Sequence, residues 1–351
     1  MSFANRAFAK VFSDKLEIPV IQGGMGVGIS MGKLAGSVAA CGGMGVISTA
    51  LIGFREEDFY QNHVEADVRA LRKEIQIAKE IANGRGMIAI NAMTVTTDYR
   101  ECIEAAVREG IDAIISGAGL PLALPELVDG KDVLIAPIVS SAKAAALIMR
   151  SWNKKCERKP DFIVVEGSGA GGHLGFKKEE LINRSYQTLT EIVSDVVKVC
   201  GDIPVFAAGG IFDADDIKEV LKCGAYGVQM GTRFIACEEC DASQGFKEKI
   251  VKAKAEDLKI IQSPVGLPGR ALKSALHEQV EKEGRKAPSR CINCISTCDP
   301  KTTPYCISAA LISGFNGDEE NGLFFSGENC GRIDKIVKVR DLMDELSKGF
   351  E

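Results

Sequence analysis

Histidine is scarce in this chain, three among 351 residues, and tryptophan occurs once. Basic surplus is missing: 43 Lys and Arg stand against 48 Asp and Glu, for a net charge of -5. That balance argues against nucleic acid or an anionic membrane surface as the main partner. Every apolar run is broken well short of the about 18 residues a transmembrane helix needs. Residues 1–12 carry basic side chains but no long apolar core or small-residue cleavage pattern, so no signal peptide is expected. The first strand-like stretch is not followed by G-x-G-x-x-G with a ribose-binding acid about 20 residues on, which weighs against a dinucleotide-binding Rossmann fold.

Cysteine, by contrast, is not scarce: there are 12. Cys41, Cys102, Cys156, Cys200 and Cys223 are scattered singly, as reduced core thiols are, and Cys237 and Cys240 have no metal partner at suitable spacing. A reducing cytoplasm is the expected compartment. Cys291, Cys294, Cys298 and Cys306 are bunched as C-x2-C-x3-C-x7-C. Four thiolates at that spacing suit a zinc ion or an iron–sulfur cluster, and the plainer reading is a reduced, metal-free cap.

The remaining pattern is an alternation. Short apolar runs at 18–22, 45–48, 87–93, 113–117, 133–139, 162–165, 204–211 and 227–234 read as strands. Between them lie helical stretches, among them 31–40, an amphipathic 56–83, 98–109, 121–128, 141–152, 186–199 and 213–223. Continuous apolar strands separated by helices imply an α/β fold with a parallel sheet buried on both faces. Eight such units predict a TIM (β/α)8 barrel, with an open doubly wound sheet as the other candidate. The spacing predicts a barrel over residues 1–236, a smaller, partly helical cap carrying the cysteine cluster over 237–330, and a closing element over 331–351.

In such a barrel the chemistry gathers where strands end. The stretch leaving the sixth strand, from Glu166 to Gly175, spends five of ten residues on glycine and sets His173 among them. Glycine lets backbone turn sharply against a flat ligand, and an imidazole can exchange protons near neutral pH. A plain turn with a structural histidine would look similar. Gly24 and Met25 end the first strand, Asn91 lies in the third, Gly209 and Gly210 end the seventh, and Gly231 and Thr232 the eighth. The last two loops are the usual phosphate site of this fold, where bare backbone N–H groups meet a phosphate monoester.

Five segments, Pro19–Met25, Ile90–Met93, Ala170–Gly175, Ala207–Ile211 and Gln229–Phe234, occur in an order and spacing that resembles the nitronate monooxygenase (2-nitropropane dioxygenase) family of FMN-dependent TIM barrels. That family also includes the flavin-dependent enoyl-acyl-carrier-protein reductases, and the likeness covers about residues 16–280. The resemblance implies bound FMN, with Gly24, Met25 and Asn91 at the isoalloxazine ring and Glu166, Gly171 and Gly172 lining the cofactor. Gly209, Gly210, Gln229, Met230, Gly231 and Thr232 would hold ribityl and phosphate, and His173 takes the place of the catalytic histidine. Two positions depart from the pattern: Gly169 stands where relatives usually carry Glu, and Glu166 where monooxygenase members commonly carry Gln.

The implied activity is oxidation of alkyl nitronates or nitroalkanes with dioxygen, His173 acting as general base. The alternatives are an NAD(P)H-dependent enoyl-thioester reductase and a non-catalytic flavin redox carrier. An inosine-monophosphate-dehydrogenase-like enzyme is disfavoured because its nucleophilic cysteine is missing from the expected loop. Ser263–Arg270 reads as a loop before a helix, with Arg270 facing an anionic substrate, the FMN phosphate or solvent. The expected partner is a small-molecule substrate, with a homodimer possible in principle.

Overall fold

A computed structural model describes residues 10–12 and 14–351. In chain order its regular elements are β1 (Val20–Gln22), α1 (Gly32–Ala40), β2 (Met44–Ser48), α2 (His63–Ala82), β3 (Met87–Met93), α3 (Tyr99–Arg108), β4 (Ala113–Gly117), α4 (Leu124–Leu127), β5 (Leu134–Val139), α5 (Ala142–Cys156) and β6 (Ile163–Glu166). There follow β7 (Gly172–His173), α6 (Lys178–Asn183), α7 (Leu189–Cys200), β8 (Val205–Ala208), α8 (Ala214–Lys222), β9 (Gly227–Met230), α9 (Thr232–Ile235), α10 (Gln244–Lys252), β10 (Leu258–Gln262), β11 (Pro268–Leu272), α11 (Ala275–Glu283), α12 (Ile307–Phe315) and α13 (Val339–Ser347).

Eight parallel strands close in the order β1-β2-β3-β4-β5-β6-β8-β9, with β9 pairing back onto β1. This is the TIM barrel that the apolar runs predict. Neighbouring residues of one strand serve two cores, because successive side chains point to opposite faces. Ile115, Val164 and Phe206 fill the barrel interior, while Ile114, Val165 and Val205 pack outward against the helices. The interior is stoppered at the N-terminal ends of the strands by Phe12, Phe162, Phe206 and Tyr226, whose ring centroids lie 5.4–5.8 Å apart. Only the C-terminal ends are left open to ligand.

The chain departs from the expected outline in three places. The amphipathic helix begins at His63, not 56, since the preceding residues form turns beneath it. The last strand stops at Met230, and Thr232–Ile235 turns into the short α9. Ser263–Arg270 is not a simple loop: β10 and β11 form an antiparallel hairpin whose second strand pairs with β7, Gly269 opposite His173 and Arg270 opposite Gly172. Near the C-terminus α13 packs between α1 and α8 and fills the place of the barrel's eighth helix. Arg233 holds it through a forked pair with Glu345 at 2.6 and 3.1 Å. The cap is therefore an excursion made between the last strand and the last helix.

One buried acid pair tests the packing around α2. Asp67 is fully buried and accepts the Gly53 amide at 2.6 Å. Burial first, and then the Asp98 charge, push its carboxyl well above the usual aspartate range. Because the native carboxyl keeps a proton that the unfolded one has lost, this group's contribution to stability falls as pH rises from the ordinary aspartate range towards the raised value. Asp67→Asn keeps the shape without the titration. Thermal melts from pH 5 to 8.5 are expected to show a higher midpoint for the variant at the alkaline end and a shallower slope.

Candidate active site

The strand ends open into a cavity of about 470 Å³, a size typical of small-molecule sites. Its lining includes His173 and every glycine and side chain singled out as a cofactor candidate: Gly24, Met25, Asn91, Glu166, Gly171, Gly172, Gly209, Gly210, Gln229, Met230, Gly231 and Thr232. Residues scattered over the whole barrel sequence thus converge on one chamber. Met93, Leu120, Ile138, Leu267, Leu311 and Phe325 give it apolar walls.

His173 sits at the junction of barrel and hairpin. Its Nε2 is 2.7 Å from Ser263 Oγ, and its ring meets Phe325 edge-on at 5.1 Å between centroids. Burial lowers the imidazole pKa to about 4, so the ring is neutral at physiological pH. Ser263 Oγ accepts the Val265 amide at 3.4 Å and shares a second bond with Nε2, donating to it in the Nδ1–H tautomer and accepting from it in the Nε2–H one. Nδ1 has no partner among the described residues, and in the first tautomer it donates to a ligand.

Glu166 ends β6 inside the cavity and has no hydrogen-bond or ion-pair partner among the described residues. Burial raises its pKa to about 8, so at neutral pH it is a protonated acid and a donor. Glu166→Gln is expected to hold FMN within about threefold of the native affinity at pH 7, since one neutral donor replaces another. Flavin-fluorescence titrations should also show that affinity in the native protein changes between pH 7 and 9 and in the variant does not.

The chamber fits a flavin mononucleotide on two observations. Gln229 Oε1 is buried without a partner, an orphan acceptor that a donor on a bound ligand would satisfy. Gly209 and Gly210 take φ of +86° and +90°, backbone open to glycine, and leave bare amide backbone at the expected phosphate corner. A Cβ at Gly24 would lie 3.0 Å from Asn91 Cγ and closer still to its Cβ, so the first strand's end must stay bare for Asn91 to reach the mouth.

Sequence reasoning missed three contributors, all from the cap: Ser263 as a partner of His173, Phe325 and the strap Ser326–Asn329. The expectation for Arg270 is corrected. It is not solvated: it is 8% exposed and outside the cavity lining, and its Nη1 donates to the carbonyls of Ser168 and, at 2.8 Å, Ala170. The strap runs over the glycine loops, with Gly327 N–H donating to Thr232 Oγ1 at 2.9 Å and Asn329 Nδ2 to Gly210 O at 2.6 Å. Apart from the glycine spacing that makes room for it, nothing local announces this strap.

The cysteine expectation fares differently. Among the described residues no group of three or more His, Cys, Asp or Glu side chains could hold a metal ion. Cys291, Cys294, Cys298 and Cys306 lie in the cap, close enough that the Cys294 and Cys298 thiols each feel those of Cys291 and Cys306. Cys294 Sγ is 2.8 Å from Ser308 Oγ, and the exposed Cys291 takes the Asn293 amide at 3.4 Å. The segment serves instead as a fastening: Ile295 bridges to Thr96, and Ser296 N–H donates to Val95 O at 2.9 Å, tying the cap to the loop after β3. No helix among the described residues is long and apolar enough to cross a membrane.

Known proteins resemble the whole of this arrangement. A Bacillus subtilis protein named probable nitronate monooxygenase is 28% identical, with 97% of each chain covered. A 5-hydroxy-7a-methyl-1-oxo-octahydro-1H-indene-4-carboxyl-CoA dehydrogenase of Rhodococcus jostii is 24% identical over 93% of this chain and 91% of its own. Among solved structures, FabK of Thermotoga maritima superposes with a TM-score of 0.77 at 25% identity, covering 98% of this chain and 95% of that one. The family model for nitronate monooxygenase matches residues 9–349, and with the barrel, the chamber and these relatives in agreement, the chain belongs to that family of FMN-dependent oxidoreductases.

Proposed function

We propose that this protein is a nitronate monooxygenase, oxidising an alkyl nitronate with dioxygen at the cavity that His173 faces. The observation that carries the reading is the neutral imidazole with Ser263 on Nε2 and an unpartnered Nδ1, which as the Nδ1–H tautomer is a donor at the cavity. A nitronate is already an anion, so it requires a donor for its charged oxygens and no base. A donor held in an apolar chamber stabilises charge far better than one in water. The low pKa makes His173 a weak base, which favours the donor role over the abstraction of a proton from a neutral nitroalkane.

The chemistry that FMN supplies when bound is electron transfer from the substrate to dioxygen, which no side chain performs. This chain's own part is to bind, orient and exclude water. Gly209, Gly210, Gly231 and Thr232 would hold the phosphate; Gln229, Asn91 and Glu166 would meet the ring and ribityl chain with neutral polar groups. Phe325 and Leu311 roof the chamber from the cap.

Reduction of an enoyl thioester with NAD(P)H is the second reading. It is favoured by Glu166, a protonated acid in the cavity, and by a relative whose name specifies a carboxyl-CoA substrate. Oxygen uptake by FMN-loaded protein separates the two. Saturable uptake with ethyl nitronate, absent with freshly dissolved nitroethane, is the expected result. No uptake, together with anaerobic NAD(P)H oxidation driven by an enoyl-CoA, would overturn it in favour of the reductase.

A further inference from the structure

The strap places a carboxylate on the His173 loop. A Cβ added at Gly169 would lie 2.6 Å from Glu328 Cδ and closer still to Oε1, and one added at Gly210 would lie 2.7 Å from Oε1. Glu328, an exposed side chain, therefore shares with Gly210 Cα, 2.9 Å from a Cβ at Gly169, the volume that a side chain at Gly169 would need, and its Oε1 stands in that of Gly210. It is brought there by backbone: Glu328 N–H donates to Gly169 O at 3.0 Å, between the bonds that its neighbours Gly327 and Asn329 make to Thr232 and Gly210.

The same loop is gripped by Arg270. Its Nη1 takes the carbonyls of Ser168 and Ala170, the residues flanking Gly169, and the carboxylate charge it feels most is that of Glu328. Arg270 lies on β11 opposite Gly172, and Gly269 lies opposite His173. Backbone from residue 168 to 173 is thus pinned on one side by a buried guanidinium and on the other by the strap. A buried charge of one sign is costly unless an opposite charge is near, and the exposed Glu328 carboxylate, not in ion-pair contact with Arg270, is the charge that most offsets its burial.

We propose that Glu328 is a positioning residue for His173: its carboxylate fills the space Gly169 leaves empty and, with Arg270, holds the 168–173 segment in the conformation that presents the imidazole to the cavity. Gly169 and Glu328 then form one steric unit, with the loop kept bare because the strap supplies the side chain. The inference rests on His173 working from this cavity and not on which substrate it meets, so it stands or fails apart from the nitronate reading.

The test uses the full-length FMN-binding protein and two substrate-free readouts: FMN affinity by flavin fluorescence, and the His173 titration by NMR of labelled imidazoles. With three histidines in the chain, single substitutions of His63 and His277 complete the assignment. Glu328→Ala is expected to weaken FMN about tenfold and to move the His173 titration from about 4 towards the ordinary imidazole range as water reaches the loop. Gly169→Asp, which collides with Glu328, is expected to abolish FMN binding in the native background. In the double variant Gly169→Asp/Glu328→Ala, where the carboxylate is gone and only Gly210 Cα, 2.9 Å from the new Cβ, must give, binding should recover in part above that of Gly169→Asp, and the titration should move back towards the native value.

Additive damage in the double variant would overturn the proposal, as would a Glu328→Ala protein with native affinity and titration. If Glu328→Ala does not fold, a double variant that folds supports the steric pairing. If neither folds, Glu328→Gln decides the matter. A shifted His173 titration there supports a role for the charge beside Arg270, and an unshifted one removes that role and overturns the proposal as stated.

Discussion

His173→Ala is expected to lower kcat/KM for an alkyl nitronate by about 10²–10³-fold, the usual cost of losing one preorganised donor to a charged oxygen. FMN should stay bound, because the imidazole's partners are Ser263 and Phe325 and not the glycine loops of the phosphate corner. His173→Asn, which keeps a neutral donor, should recover part of the loss. In the native enzyme kcat/KM should show no limb from this residue between pH 6 and 8, since its pKa is lowered to about 4. A limb near the ordinary imidazole pKa that disappears in His173→Asn would restore the general-base role. Stability carries the same signature. The unfolded imidazole takes up a proton as pH falls through its ordinary range of about 6.5, while the native one waits until about 4. Native stability from this group is therefore lost as pH falls across that window, and His173→Ala should melt with less acid sensitivity.

The largest effect on stability is expected at Trp152. Its side chain is fully buried on α5, and its indole Nε1–H donates to Pro121 O at 3.0 Å. Trp152→Ala should lower the free energy of unfolding by about 3–5 kcal/mol, by the cavity it opens and the contacts it removes. The carbonyl left behind adds to that cost. Circular dichroism is the suitable probe, because this is the chain's single tryptophan. Pro121 follows Leu120, Gly119 and Ala118, which form part of the cavity wall. A milder Trp152→Phe, losing the N–H but most of the volume retained, is therefore expected to raise substrate KM while leaving FMN affinity unchanged. If KM is unchanged and only the melting temperature falls, the tryptophan supports the fold and not the wall.

These two residues also show what could be read from the sequence. The barrel was legible because strands buried on both faces must be largely apolar, as Ile163–Val165 and Val205–Ala208 are. The cofactor candidates were legible because a strand followed at once by glycine marks backbone kept bare at the barrel mouth. The partners of His173 were not. Ser263 lies 90 residues away in sequence, and Arg270 is 102 residues from the carbonyl it grips at Ser168. Their positions depend on β11 pairing with β7, a strand of two residues with no hydrophobic period of its own. The four cysteines are the opposite case: their spacing is plain in the sequence, but the side-chain direction that decides coordination is not, and the partners of Cys294 and Cys291, Ser308 and Asn293, are visible only in the fold.

The excursion of the chain between β9 and α13 also sets an order of assembly. Synthesis delivers all eight barrel strands by Met230, yet the strap that roofs the glycine loops ends at Asn329 and the eighth helix begins at Val339. A nascent chain paused before Asn329 holds all eight strands but neither the full strap nor α13, so nothing from them covers the mouth or the α1–α8 groove. The pocket is thus finished last, after about a hundred residues that add nothing to the barrel sheet. Flavin that arrives during synthesis meets a wide basin, and flavin that arrives afterwards must pass under the strap.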